Sequence, residues 1–158
     1  MTRHSAIHET FTIERKIRAP VSRVFGAWAD PAAKRQWFAC HDEWVPLDYG
    51  LDFRVGGEEH NRVADSDGVP HVYEARYLDI VPQARIIYAY DMKLGETRIS
   101  ASLATVTFEA TSSGTTMLFT EQVAFLDGYA DGGSRRQGTE ILVDRIQAYV
   151  ERHGSTAH

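Results

Sequence analysis

Along residues 115–125, TTMLFTEQVAF, apolar and polar positions alternate as in a half-buried strand, with Met117, Phe119, Val123 and Phe125 on one face. Glu121 falls on that same face, where the pattern calls for an apolar side chain. Residues 11–17, FTIERKI, alternate likewise through Phe11, Ile13 and Ile17, and Arg15 is the polar intruder there. Ala19-Pro20 ends this strand and predicts a helix with proline at its first position. Val21, Val24, Phe25 and Trp28 then recur at helical spacing. Asp30-Pro31 reads as an N-cap followed by proline and predicts a second short helix carrying Trp37 and Phe38. From about residue 44 to 125 the pattern is almost wholly strand. WVPLDY, DFRVGGEEHNRV, HVYEARYLDI, ARIIYAYDM, ISASLATVTFEA and TTMLFTEQVAF are separated by turn clusters, and such short connections predict an antiparallel meander. Gly56-Gly57 inside one of these segments suggests a bulge or sharp bend. Ser134 with Gln137 suggests a capping box for a final helix with Leu142, Ile146, Tyr149 and Val150 on its apolar stripe, closed near Gly154. About 18 residues at 1.5 Å each give that helix a length of ~27 Å. The expected fold class is α+β: one domain over 1–158, with a curved antiparallel sheet and one long C-terminal helix.

Composition narrows the function classes. With 43% hydrophobic and 25% charged residues, the chain is ordinary for a globular domain. A net charge of -5, with no Lys/Arg run, argues against nucleic acid as a partner. No segment approaches the ~18 apolar residues of a membrane span, so no membrane insertion is expected. The single cysteine, Cys40, forms no internal disulfide and fits a cytoplasmic setting, and the N-terminus lacks the apolar region of a secretory signal.

The segments RKIRAPVSRVFGAWADPAAKRQWF (15–38), DFRVGGE (52–58), YLDIVPQARIIYAY (77–90) and GTTMLFTEQ (114–122) resemble the SRPBCC, or START-like, superfamily. The branch they resemble is that of bacterial proteins similar to the C-terminal domain of the Aha-type activator of a heat-shock chaperone ATPase. The resemblance implies a helix-grip fold, with a sheet wrapped around the last helix and an internal cavity between them. It also implies that the first strand pairs with the last, which would bring Arg15 toward Glu121. The superfamily includes lipid carriers, hormone receptors, polyketide cyclases and co-chaperones, and it shares no universal catalytic motif. Relatives often carry a Trp early in the last helix, where this chain has Gly138 and Thr139.

An uncompensated carboxylate in low dielectric costs several kcal/mol, so Glu121 needs a partner, water or a proton. It is either half of a structural pair with Arg15 or a ligand-facing carboxylate, and both readings stay open. HVYEARYLDI fits two parities, one placing Glu74 and Arg76 inward with Leu78 and Ile80, the other placing Tyr73, Ala75 and Tyr77 there. His60 could move protons, although an exposed polar role is the simpler reading past a double glycine. Arg54 reads as tying strand to loop. Cys40-His41-Asp42-Glu43 lacks metal-ligand spacing, so no metal and no cofactor is expected.

The expected function is binding of a small hydrophobic or aromatic molecule between sheet and C-terminal helix. The ligand-binding residues expected are Arg15, Trp37, Phe38, Tyr88, Tyr90, Ser100, Phe119, Glu121, Leu142 and Ile146; no catalytic residue is assigned. The alternatives are a cyclase- or lyase-like enzyme using Glu121 or His60, and a co-chaperone-like interaction module. A homodimer is compatible with the sequence.

Overall fold

The computed structural model describes residues 4–39, 43–129 and 133–154. The elements run β1 (Ala6–Ile17), α1 (Val21–Ala29), α2 (Pro31–Lys34), a π-helical turn (Arg35–Ala39), β2 (Val45–Leu51), β3 (Glu58–Ala64), β4 (Pro70–Val81), β5 (Arg85–Leu94), β6 (Thr97–Thr111), β7 (Gly114–Leu126) and α3 (Ser134–Gly154). All seven strands form one antiparallel sheet in the order β1-β7-β6-β5-β4-β3-β2. Six of the seven strands follow one another through short turns, while β1 joins the far edge beside the last strand. α3 lies against the inner face through Val143, Ile146 and Val150, all buried, so the sheet grips the helix.

Local sequence accounts for most boundaries. Asp30 caps α2 by accepting the Ala32 N–H at 3.2 Å, with Pro31 just behind it. Pro20 occupies the cap of α1 rather than its first turn, because its own backbone is still extended. Ser134 is the first residue of α3 and not its cap, and the Gln137 N–H bonds the Gly133 carbonyl.

Gly56-Gly57 makes a turn instead of a bulge within one strand. Gly56 takes φ +85°, and a Cβ on Gly57 would sit 2.1 Å from the Asp52 carbonyl oxygen. Their backbone groups pair with Tyr77 of β4, which closes the gap between β2 and β3. Arg54 ties this loop locally, donating to Asp52 at 2.8 Å.

The ambiguous parity of β4 has a physical cause. A bulge between Tyr77 and Asp79 inserts one residue, so Tyr73, Ala75 and Tyr77 face inward before it and Ile80, opposite Ile86, packs against the core after it. Glu74 and Arg76 are exposed.

Candidate functional site: two buried ion pairs around an aromatic cavity

Between α1, the π-helical turn, α3 and strands β4, β5 and β7 lies a cavity of about 50 Å³. Its wall is largely aromatic, with Trp28, Trp37, Phe38, Tyr73, Tyr88 and Tyr90; Phe119, Leu142, Val143 and Ile146 complete the apolar part. Glu121 and Thr139 are the other two lining residues. The volume is small because Trp28 and Trp37 stack edge to face at 4.9 Å, and Phe38 and Tyr73 do the same at 4.9 Å. The π-helical geometry of Arg35–Ala39 carries Trp37 and Phe38 into this wall, and the Trp37 Nε1–H is fixed on the Ala27 carbonyl at 2.9 Å. The Trp28 Nε1–H, equally buried, finds no acceptor among the described residues.

The first polar end is built on Glu121, which is 1% exposed. Its Oε2 accepts from the Tyr90 hydroxyl at 2.7 Å, the Ser102 hydroxyl at 3.0 Å and Arg135 Nη1 at 3.3 Å. Arg135 Nη2 donates to the Ser100 hydroxyl at 2.8 Å. Sheet register explains the grouping: Tyr90 lies opposite Ser102, and Glu121 lies opposite Ala104, whose methyl leaves room beside the carboxylate. Burial acts against the Arg135 charge, but Tyr90 and Glu121 outweigh it and hold the guanidinium protonated. The Tyr90 hydroxyl is pushed up by desolvation first and the Glu121 charge second.

This corrects the expected Arg15–Glu121 pair. β1 does pair with β7, but Arg15 stands opposite Met117 while Phe11 stands opposite Glu121. Four residues along a strand is about 13 Å, beyond the reach of an arginine turned elsewhere. Arg15 instead meets Asp144 of α3 at 3.1 Å, near the surface. Of the ten residues expected around a ligand, eight line the cavity: Trp37, Phe38, Tyr88, Tyr90, Phe119, Glu121, Leu142 and Ile146. Ser100 sits behind Arg135, one bond away from it, and Arg15 lies outside the site.

A second buried ion pair, behind the cavity wall, has no counterpart in the sequence reading. Lys34 Nζ lies 2.6 Å from Glu59 Oε1, with the two side chains 1% and 0% exposed. The Tyr77 hydroxyl accepts from Lys34 at 3.1 Å and donates to Glu59 at 2.9 Å; Tyr73 donates to the same oxygen at 3.4 Å and Tyr49 to the other at 2.9 Å. Five rings, of Trp28, Trp37, Phe38, Tyr77 and Tyr88, have centroids 4.6–5.8 Å from Nζ. Desolvation lowers the Lys34 pKa, and Glu59 recovers part of that shift. Desolvation and the Glu59 charge together raise the hydroxyls of Tyr49, Tyr73 and Tyr77.

His60, the neighbour of Glu59, points away from the cavity and meets Asp48 at 2.9 Å, both side chains well exposed. Thr139 occupies a place in the cavity wall, its hydroxyl turned back to the Arg135 carbonyl at 2.9 Å, while Gly138 faces out. Among the described residues no group of three His, Cys, Asp or Glu could hold a metal ion, and no helix is long and apolar enough to cross a membrane. Cys40, His41 and Asp42 lie outside the described residues.

An open antiparallel sheet closed around one long helix, with a lined space between them, defines the helix-grip class of START-like domains. Within that class the chain belongs to the family of Activator of Hsp90 ATPase homolog 1-like proteins, whose profile matches residues 18–151. It is similar to an uncharacterized protein from Rhizobium leguminosarum of known structure, with 67% identity, a TM-score of 0.93 and coverage of 96% of this chain and 99% of that one. It is similar also to the Mll3558 protein of Rhizobium loti, at 40% identity and TM-score 0.86, over 92% of this chain and 99% of that one. An AHSA1-like protein from Aeromonas hydrophila, at 21% identity and TM-score 0.69 over 95% and 97% of the two chains, shares the fold. No curated protein matches.

Proposed function

We propose that this protein binds a small hydrophobic or aromatic molecule in the cavity between sheet and α3. The observation that carries the reading is a wall of seven aromatic side chains beside one polar corner, Glu121 with Tyr90, Ser102 and Arg135. That combination is the general form of a small-molecule site, apolar walls with a few oriented polar groups. The buried Trp28 N–H supports it, since a paired donor is the rule in protein interiors and a ligand acceptor would satisfy this one. At about 50 Å³ the space is smaller than the ~150 Å³ apolar cavity that holds benzene. Binding an aromatic ring therefore shifts the half-buried Phe38 or Leu142 outward as the ligand enters.

The test is titration with phenol and with indole, followed by thermal shift and by the NMR resonance of the Trp28 indole N–H. The expected result is stabilisation by at least one probe with movement of that resonance, and a changed affinity for phenol in Glu121→Gln. No shift of the resonance with either probe would refute the reading.

A further inference from the structure

The Lys34–Glu59 pair, packed behind rings of the cavity wall, carries chemistry beyond binding. An amine is most useful as a nucleophile when it is held dry, near a base that can take its proton and an acid that can return one. Glu59, at 2.6 Å, is placed for both transfers, and the Tyr77 hydroxyl bridges the same two groups. The chain holds three lysines, Lys16, Lys34 and Lys93, among 17 Lys and Arg in all, yet one of the three occupies this fully buried position. A guanidinium would carry the same charge with weaker hydration, so a purely structural cation here has no need to be a lysine. Four of the five rings around Nζ, those of Trp28, Trp37, Phe38 and Tyr88, also line the cavity, and Tyr73 joins the cavity wall to Glu59. The nearest of these rings, Phe38 at 4.6 Å, is half-buried and stands at the end of the π-helical turn, a type of helix distortion frequent at functional sites.

We propose that Lys34 is a carbonyl-capturing residue, forming an imine with a small aldehyde held in the cavity, with Glu59 as its acid and base. The inference rests on the cavity admitting a small molecule. The proton passes from Nζ to Glu59, and the free amine attacks the carbonyl carbon while the carbonyl π pair moves to oxygen. Glu59 protonates that oxygen and takes a second proton from nitrogen, giving the carbinolamine. Protonation of its hydroxyl by Glu59 releases water as the nitrogen lone pair closes the C=N bond. The balance is ammonium–carboxylate plus aldehyde to iminium–carboxylate plus water. The ion pair is conserved and nothing is oxidised or reduced. The depressed Lys34 pKa supports the first transfer.

The test exposes the folded protein to propanal with sodium cyanoborohydride, which fixes an imine as a propylamine, and maps the adducts by peptide mass spectrometry across pH. Lys34 is expected to label ahead of the exposed Lys16 and of Lys93, and to keep labelling at lower pH than either. Glu59→Gln keeps one acceptor oxygen, for Tyr73 and Tyr77, and is expected to slow Lys34 labelling roughly a hundredfold relative to Lys93. Labelling ordered by exposure, with Lys34 unmodified in the folded protein, overturns the proposal, as does Glu59→Gln reacting at the parent rate. If phenol moves the Trp28 resonance but propanal spares Lys34, the cavity reading stands and this assignment falls. If neither responds, both fall.

Discussion

Breaking the Lys34–Glu59 pair is a severe perturbation whose size follows from its burial. At an effective dielectric of about 20, the attraction across the 2.6 Å contact is roughly 6 kcal/mol. Desolvation costs several kcal/mol for each ion, so the intact pair contributes little net stability while either half alone is costly. Lys34→Met leaves Glu59 buried with three tyrosine donors and no cation, and is expected to lose about 3–5 kcal/mol. Glu59→Gln is milder, about 1–3 kcal/mol, because a buried lysine whose pKa is already lowered can shed its proton, and the amide oxygen still accepts from the tyrosines. The double variant Lys34→Met/Glu59→Gln removes both charges and is expected to lose about 2 kcal/mol less than the sum of the single losses. Denaturant unfolding of the four proteins gives the coupling directly. Additivity within about 0.5 kcal/mol would show that the two charges do not depend on each other, and the account of a dehydrated pair would fail.

Tyr49, Tyr73, Tyr77, Tyr88 and Tyr90 all have folded-state pKa values raised above 10, chiefly by burial, so stability is intact below pH 10 and falls as pH rises beyond it. Ultraviolet titration should show their phenolates appearing together with unfolding; gradual ionisation in the folded protein would contradict this. Arg135→Met strands the Glu121 carboxylate and should cost about 3–5 kcal/mol in denaturant unfolding. Arg15→Ala breaks only a near-surface pair with Asp144 and should change stability by less than about 1 kcal/mol. Gly57→Ala should destabilise by more than Gly56→Ala does, because only the former drives a Cβ against the Asp52 carbonyl; equal losses in thermal unfolding would refute that.

Period-2 patterning made the sheet legible because nearly every strand has one buried face, as Ser100 through Phe108 and Met117 through Phe125 show. The same rule exposed Glu121 as an inward carboxylate. It could not name the partner, because the β1–β7 register sets Arg15 four positions from Glu121, and the cation that does reach it, Arg135, comes from α3. Lys34 was hidden for another reason. On a four-residue helix it has too few neighbours to establish a face, and a lysine there reads as solvated until Glu59 is known to lie beneath it. Glu59 was obscured by the double glycine before it. Parity is reset after that turn, so Glu59, not the chemically suggestive His60, enters the core.

The bulge in β4 makes that strand one residue longer than its partner requires. Leu78 and Asp79 share the space of a single strand position, and Leu78 is 48% exposed. Removing Leu78 would leave a regular ladder, with Tyr77 still inward before the join and Ile80 still inward after it. Deleting a neighbour such as Glu74 would turn one part of the strand inside out and withdraw the tyrosines from Glu59. In the genetics of this gene, an in-frame loss of codon 78 should therefore be the tolerated deletion in β4, a single expendable position within a strand whose other residues are fixed by face.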